Sequence, residues 1–218
     1  MDKKIKILSQ ENSILNRFLQ EMRDEEIQKD RHRFRMNIER CAEILAVEIS
    51  KHLQYVPQNI VTPLGELEMN VPADEPVIVS ILRAGIPMHQ GLLRYFDRAD
   101  NGFITAYRHH TKGDEFEIKV QYAAIHNLTG RTLIMADPML ATGRSIDMCY
   151  KAIVPGYGNP ENLIIAAILG SEEGVEYVKQ HLPMATVFIC AVDKELTAKS
   201  YIVPGLGDAG DLAFGPKD

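Results

Sequence analysis

Several things are scarce or missing in this chain, and each absence narrows what it can be. There is no tryptophan, and the three cysteines, Cys41, Cys149 and Cys190, are odd in number and lack the spacing of a metal site. They read as reduced thiols, which suits a cytoplasmic protein. Long hydrophobic runs are absent: the longest, Leu163 to Leu169, is far shorter than the roughly 20 residues a bilayer span needs. The charged amino terminus is no secretory signal, so no membrane partner is expected. Excess positive charge is absent too. A formal charge of −6 argues against a general nucleic-acid-binding surface, and an anionic ligand would need a local cluster of cations, backbone amides or a divalent metal. No internal repeat and no low-complexity segment occurs.

What is present is ordinary globular composition, 45% hydrophobic and 25% charged over 218 residues, enough for one domain with a sizeable core. Ile14, Leu15, Phe18, Leu19 and Met22 form one stripe at helix spacing, and Phe34, Ile38, Cys41, Leu45 and Ile49 a second. The arginines Arg31, Arg33, Arg35 and Arg40 read as a solvated helix face, with a subunit contact or anion site as the sharper alternative. Ile60–Thr62 and Glu66–Val71 flank Pro63-Leu64-Gly65, a hairpin or edge-strand signal.

From Pro76 onward, apolar strands alternate with helices. Strands are expected at 76–82, 102–107, 117–125, 133–136, 163–169 and 185–192, and helices at 88–96, 146–154 and 172–181. The uninterrupted apolar runs suit strands covered on both faces. Together the pattern indicates an α/β fold with a doubly wound, mainly parallel sheet. The chain is read as one domain, 1–218, made of an N-terminal helical segment (1–55), an α/β core (76–193) and a C-terminal hood (194–218).

The central chemical feature is Leu133-Ile134-Met135-Ala136-Asp137-Pro138-Met139-Leu140-Ala141-Thr142-Gly143-Arg144-Ser145. A buried strand ends in a carboxylate, turns through small residues and hydroxyls, and enters a helix. The unpaired N–H groups of a helix start, with its dipole, favour an anion there. Gly143 permits close backbone approach, and Thr142 and Ser145 add donors. Asp137 is unsuited to contact a phosphate and better suited to accept from sugar hydroxyls or to act through a metal. The spacing is neither a P-loop nor Gly-x-Gly-x-x-Gly, and an ordinary strand–turn–helix remains an alternative reading of these residues alone. A second such place is Leu82-Arg83-Ala84-Gly85, where a strand ends in an arginine followed by small residues. Adjacent His109 and His110 invite a metal reading, which their opposite orientation on a strand disfavours.

The Asp137–Ser145 loop resembles the diphosphoribosyl-binding loop of type I phosphoribosyltransferases. Its Asp-Pro-Met-Leu-Ala-Thr-Gly form resembles the uracil phosphoribosyltransferase version, and Leu82–Gly85 resembles that family's pyrophosphate loop. The tail Tyr201-Ile202-Val203-Pro204-Gly205-Leu206-Gly207-Asp208-Ala209-Gly210-Asp211 is similar, nearly residue for residue, to the family's base-binding signature. The resemblance spans about Phe34 to Gly215 and implies transfer of phosphoribose from 5-phosphoribosyl diphosphate (PRPP) to uracil, giving uridine monophosphate and diphosphate.

It further implies that Asp137, Pro138, Met139, Leu140, Ala141, Thr142, Gly143, Arg144 and Ser145 bind PRPP together with Arg83, Arg108 and Asp208. Uracil would meet Ile202, Gly207, Asp208 and Ala209, and Arg83, Arg108 and Asp208 would form the catalytic set. Magnesium would be held mainly through the substrate diphosphate, and a homodimer or higher homo-oligomer is implied. Some members respond to guanosine triphosphate.

The chain departs from the family at two places. Gly143-Arg144 stands where Gly-Gly is usual, and His109-His110 follow Arg108 where acidic residues are common. Thr-Gly-Arg also occurs in pyrimidine-operon regulators of the same loop fold. That supplies a rival, an RNA-binding uridine-nucleotide sensor, which the acidic balance and the complete tail argue against. Transfer to another base is the second rival.

Overall fold

The structure, a computed structural model, describes residues 4–110 and 116–216, and its described side chains exclude those of residues 106–121. In chain order the strands are β1 (Ile5–Ile7), β2 (Tyr55–Thr62), β3 (Gly65–Pro72), β4 (Val77–Ile81), β5 (Asp100–His110), β6 (Phe116–Ala124), β7 (Thr132–Ala136), β8 (Met139–Leu140), β9 (Asn162–Ser171), β10 (Thr186–Asp193), β11 (Glu195–Leu196) and β12 (Ile202–Val203). The helices are α1 (Leu15–Arg23), α2 (Arg31–Ser50), α3 (Gly85–Leu93), α4 (Arg144–Tyr157), α5 (Glu172–His181) and α6 (Ala209–Phe214).

One sheet organises the fold, with strand order β1-β10-β9-β7-β4-β5-β6 and β8 paired to β9. All its pairings are parallel except β5 with β6. This is the mainly parallel α/β sheet that the strand–helix alternation indicates. Alternation along β4 divides the core. Val77, Val79 and Ile81 pack with Ile146, Cys149 and Ile153 of α4 and Val178 of α5, while Ile78 packs with α2 and α3. Both faces of β9 are covered, which is why Leu163 to Ser171 are all buried and why that run reads as continuously apolar.

Chain direction reverses beside β4. The chain leaves β4 through α3 to β5 on one side, and leaves β7 through α4 to β9 and β10 on the other. Such a switch point opens a crevice at the carboxyl ends of the two strands, β4 and β7. The Arg83 and Asp137 stretches are therefore placed side by side by topology. Arg108 and the paired histidines fall inside β5, opposite Ile118, Glu117 and Phe116, so the strand runs further than the expected 102–107. Residues 111–115 of the polar turn lie outside the described residues.

The second helical stripe is buried as expected, Phe34, Ile38, Cys41, Leu45 and Ile49; of the first, Leu15, Leu19 and Met22 are buried and Phe18 half-buried, but Ile14, which precedes α1, is exposed. The arginines of α2 divide: Arg31 and Arg33 are exposed, as a solvated face requires, while Arg35 and Arg40 are half-buried. Arg33 grips the buried Glu21 carboxylate at 2.8 Å, joined by Asn37 at 2.8 Å and Arg17 at 3.0 Å. Those bonds, from Arg33 first and Asn37 next, outweigh burial and hold Glu21 down at about 2. Arg40 donates to Asn37 and lies over the Phe18 ring, and Arg35 donates to the Ala213 carbonyl at 2.7 Å. Arg35 and Arg40 depart from that reading because Arg35 meets the Ala213 carbonyl of α6 and Arg40 the Phe18 ring of α1, contacts that no local pattern carries.

The hairpin β2–β3 stands apart as its own two-stranded sheet, with Val61, Leu64, Leu67 and Met69 exposed. All three cysteines are buried and unbridged. Among the described residues, no helix is long and apolar enough to cross a membrane.

Candidate active site

A cavity of about 470 Å³ opens at the switch point. Three stretches line it: Ile81–Ala84 after β4, residues of the 137–145 loop after β7, and Lys199–Ile202 with Gly207–Gly210 from the tail. The anion loop and the tail signature, distant in sequence, thus face one another across a single space.

The loop's geometry follows from Gly143. It is the N-cap of α4 and sits in the left-handed region at φ +72°, with no side chain to cap the helix. Among the described residues, the N–H groups of Thr142, Gly143, Arg144 and Ser145 have no hydrogen-bond acceptor. An α-helix leaves these donors orphaned by construction, so they are available to an anion. The loop is braced from behind: Ser171 Oγ donates to the Ala141 carbonyl at 2.5 Å and accepts from the Gly174 N–H at 2.8 Å.

Asp137, Met139, Ala141 and Ser145 line the cavity. The other loop residues play different parts. Pro138 and Leu140 are buried, with Leu140 in the α4–α5 side of the core, and Thr142 is half-buried. Arg144 has an ordinary helical backbone, because the positive φ belongs to Gly143. Its side chain is exposed, with the guanidinium 6.0 Å from the centre of the Tyr177 ring, so the departure from Gly-Gly does not crowd the loop.

Asp137 is half-buried at the floor of the cavity. Burial pushes its carboxyl up to about 7, against the Met139 N–H that donates to Oδ1 at 3.2 Å. Burial, with Asp137 nearby, pushes the Cys149 thiol up to about 12, so it stays protonated.

Arg83 lines the cavity and also reaches the carboxyl-terminal segment. Its Nη2 donates to Asp211 Oδ1 at 2.9 Å and to the Gly215 carbonyl at 3.3 Å, while its buried Nε has no partner among the described residues. A guanidinium has five N–H donors, so it can keep Asp211 and still offer donors to a ligand. Asp208 is the N-cap of α6 and accepts the Asp211 N–H at 3.0 Å, with its residue exposed toward the cavity. The Arg108 side chain lies outside the described ones. Ile202, Gly207 and Ala209 all line the cavity, as does Asp208.

Sequence reasoning missed Lys199 and Ser200 as lining residues, although they adjoin the tail signature, and gave no role to Tyr201, which opens it. It also missed a buried polar chain beneath the Arg83 loop. Ser80 Oγ donates to His89 Nδ1 at 2.8 Å, and His89 Nε2 donates to Asn101 Oδ1 at 2.9 Å. The amide oxygen can only accept, which fixes the tautomer, and burial pushes the imidazole pKa down. No ligand can reach Ser80, which is fully buried, so this chain ties α3 to β4 and β5.

No three His, Cys, Asp or Glu residues among those described come together as a metal site. The Asp137 and Asp208 carboxylates that line the cavity suit a divalent cation that arrives on an anionic substrate and keeps several of its waters.

Comparison with known proteins agrees with this geometry. A family model described as uracil phosphoribosyltransferase matches residues 9–216. A uracil phosphoribosyltransferase of Porphyromonas gingivalis is 49% identical over 211 residues, covering 96% of this chain and 97% of that one. One from Pyrococcus furiosus is 36% identical, covering 90% and 84%. The structure of the AQ2163 protein from Aquifex aeolicus superposes with a TM-score of 0.84 at 24% identity, over 97% of this chain and 98% of that one, which speaks for the fold. With the match running almost from end to end and both signature segments lining one cavity, this chain belongs to the uracil phosphoribosyltransferase family.

Proposed function

We propose that the protein transfers the 5-phosphoribosyl group of PRPP to N1 of uracil, releasing diphosphate and forming uridine monophosphate. The observation that carries this reading is the shared cavity, lined by Asp137, Ala141 and Ser145 on one side and Ile202, Gly207, Asp208 and Ala209 on the other.

In this reading the orphan N–H groups of residues 142–145 hold the 5-phosphate, with the Thr142 and Ser145 hydroxyls. Asp137 accepts from ribose hydroxyls. As the diphosphate departs, positive charge grows at the anomeric carbon. The chain's part is then to align the base and to neutralise the leaving group, with little covalent chemistry of its own. Arg83 and Arg108 supply that charge. Asp208, a carboxylate lining the cavity, would help hold a magnesium ion carried in on the diphosphate, which would supply further neutralisation of the leaving group.

Uracil offers an acceptor, a donor and an acceptor along one edge. In this reading backbone groups of Ile202, Gly207 and Ala209, which line the cavity, meet that order, and a fixed N–H opposite the 4-oxygen would reject cytosine, whose amino group leaves the donor unpaired. Self-association is favoured by the exposed apolar side chains of β2–β3. The test is product formation from PRPP with uracil, cytosine, hypoxanthine and adenine in parallel. Uridine monophosphate alone is the expected product, and preference for any other base would overturn the assignment.

A further inference from the structure

The tail segment that lines the base side of the cavity is not held by the sheet alone. Asp193, the last residue of β10, receives both ends of the Arg23 guanidinium: Nη1 to Oδ2 at 2.7 Å and Nη2 to Oδ1 at 2.9 Å. The same ion pair grips the backbone of Gly205 from both sides. Asp193 Oδ2 accepts the Gly205 N–H at 2.9 Å, and Arg23 Nη1 donates to the Gly205 carbonyl at 3.1 Å.

Gly205 has φ +61°, and a Cβ there would sit 2.0 Å from the Ile202 carbonyl oxygen, so the turn between Ile202 and Gly207 is compact. Gln28, in the amide orientation that satisfies both its ends, donates to the Leu206 carbonyl at 2.7 Å. Leu206 itself is buried. Arg35 then holds the Ala213 carbonyl, and the Arg31 guanidinium lies against Gly215. The helical amino-terminal segment thus touches the tail on both sides of Gly207–Ala209.

We propose that Arg23 and Asp193 are positioning residues for base recognition, clasping Gly205 so that the backbone of Ile202 and Gly207–Ala209 stands at a fixed distance from the pyrimidine. This rests on the assignment of those backbone groups to uracil.

The physical argument is one of register. Backbone donors and acceptors have no side-chain rotamers with which to adjust, so selectivity for one base edge depends on where the chain itself is held. A misplacement of about 1 Å at such a site costs on the order of a hundredfold. Gly205 is two residues from Gly207, and the clasp holds both its N–H and its carbonyl, which fixes the peptide planes on either side of it. The fork of arginine is needed for this, because a single ammonium cannot meet both carboxylate oxygens and a carbonyl in one plane. The clasp does not touch the 137–145 loop, so phosphate binding is independent of it.

The experiment compares the parent with Arg23→Lys, Arg23→Ala and Asp193→Asn, each checked for cooperative urea unfolding. Arg23→Lys keeps the charge and covers the case in which Arg23→Ala fails to fold. KM for uracil should rise about tenfold or more in Arg23→Lys, KM for PRPP should stay within about twofold, and the uracil-to-cytosine preference should fall. Calorimetry gives a readout without turnover: uridine monophosphate should bind more weakly by a similar factor, whereas ribose 5-phosphate should bind as in the parent. Equal weakening of both ligands would show a general structural role and overturn the proposal, as would unchanged uracil KM in the folded variants. The parent's own base preference decides separately whether the pocket is a uracil pocket. The variant-to-parent ratio for whichever base it prefers decides the clasp.

Discussion

Replacing Asp137 with asparagine should stabilise the ligand-free protein at alkaline pH while abolishing most turnover. Burial on the cavity floor pushes the carboxyl from 3.8 to about 7. The folded protein therefore keeps a proton that the unfolded chain releases at about pH 4. Between those values the unfolded state binds fewer protons than the folded one, so stability declines as pH rises, and the full penalty applies above about pH 7. At about 1.4 kcal/mol per unit, the interval sets an upper limit of about 4 kcal/mol. The residue is only half-buried and borders an open cavity, so solvent screening reduces this to about 2 kcal/mol. Asparagine never ionises, and its Oδ1 can still accept from the Met139 N–H. Urea unfolding of parent and variant should therefore show almost no difference at about pH 3 and a variant advantage of about 2 kcal/mol at about pH 8. The same difference at both pH values, or a variant less stable at the higher one, would refute the argument that Asp137 is a desolvated carboxylate.

Other substitutions test other parts of the site. Gly143→Ala forces a side chain into φ +72° with its Cβ 2.7 Å from the Gly174 carbonyl oxygen. It should cost about 2–3 kcal/mol in urea unfolding and raise KM for PRPP, and unchanged stability would count against the loop geometry. Arg144→Gly should lose about 1 kcal/mol from helix propensity and leave PRPP affinity alone, whereas a large gain in affinity would mean that Arg144 crowds the phosphate. Ser200→Gly relieves a serine held at φ +62° and should gain about 1 kcal/mol by thermal unfolding; no gain would mean that the serine makes up the strain locally. Asp208→Ala should reduce kcat by about a hundredfold or more while costing about 1 kcal/mol from the lost α6 cap, and normal turnover would remove Asp208 from the site. Glu21, held down at about 2 from 4.5, contributes stability that is present above about pH 4.5 and lost as pH falls toward 2. Because Arg17 is mostly exposed and Arg33 nearly half exposed, the contribution is about 1–2 kcal/mol; Glu21→Gln should flatten this acid dependence, and an identical acid profile would disprove it.

Periodicity was informative wherever a residue's fate depended on its near neighbours. The stripe from Phe34 to Ile49 became the buried face of α2, and the apolar runs before Arg83 and after Asn162 became strands covered on both sides. Short elements escaped it. Three residues in β1 and two each in β8, β11 and β12 carry too little pattern to register, and they exist because a neighbouring strand supplies hydrogen bonds. The glycine-rich tail has no clear periodicity. Its packing is decided by Arg23, Gln28, Arg31, Arg35 and Arg83, all far from it in sequence.

By itself the amino-acid sequence determined that residues 142–145 would present unpaired amides after a carboxylate. That follows from local chemistry: a glycine able to take a positive φ, small neighbours, and a helix start whose first donors have no acceptor. Only the folded chain decided that Arg83 would meet Asp211, that Arg144 would turn outward to Tyr177, and that Arg23 would hold Gly205 across 182 residues. Charge pairs and backbone clasps form between whichever groups the sheet order and helix crossings bring within about 3 Å of one another, and no local pattern carries that distance.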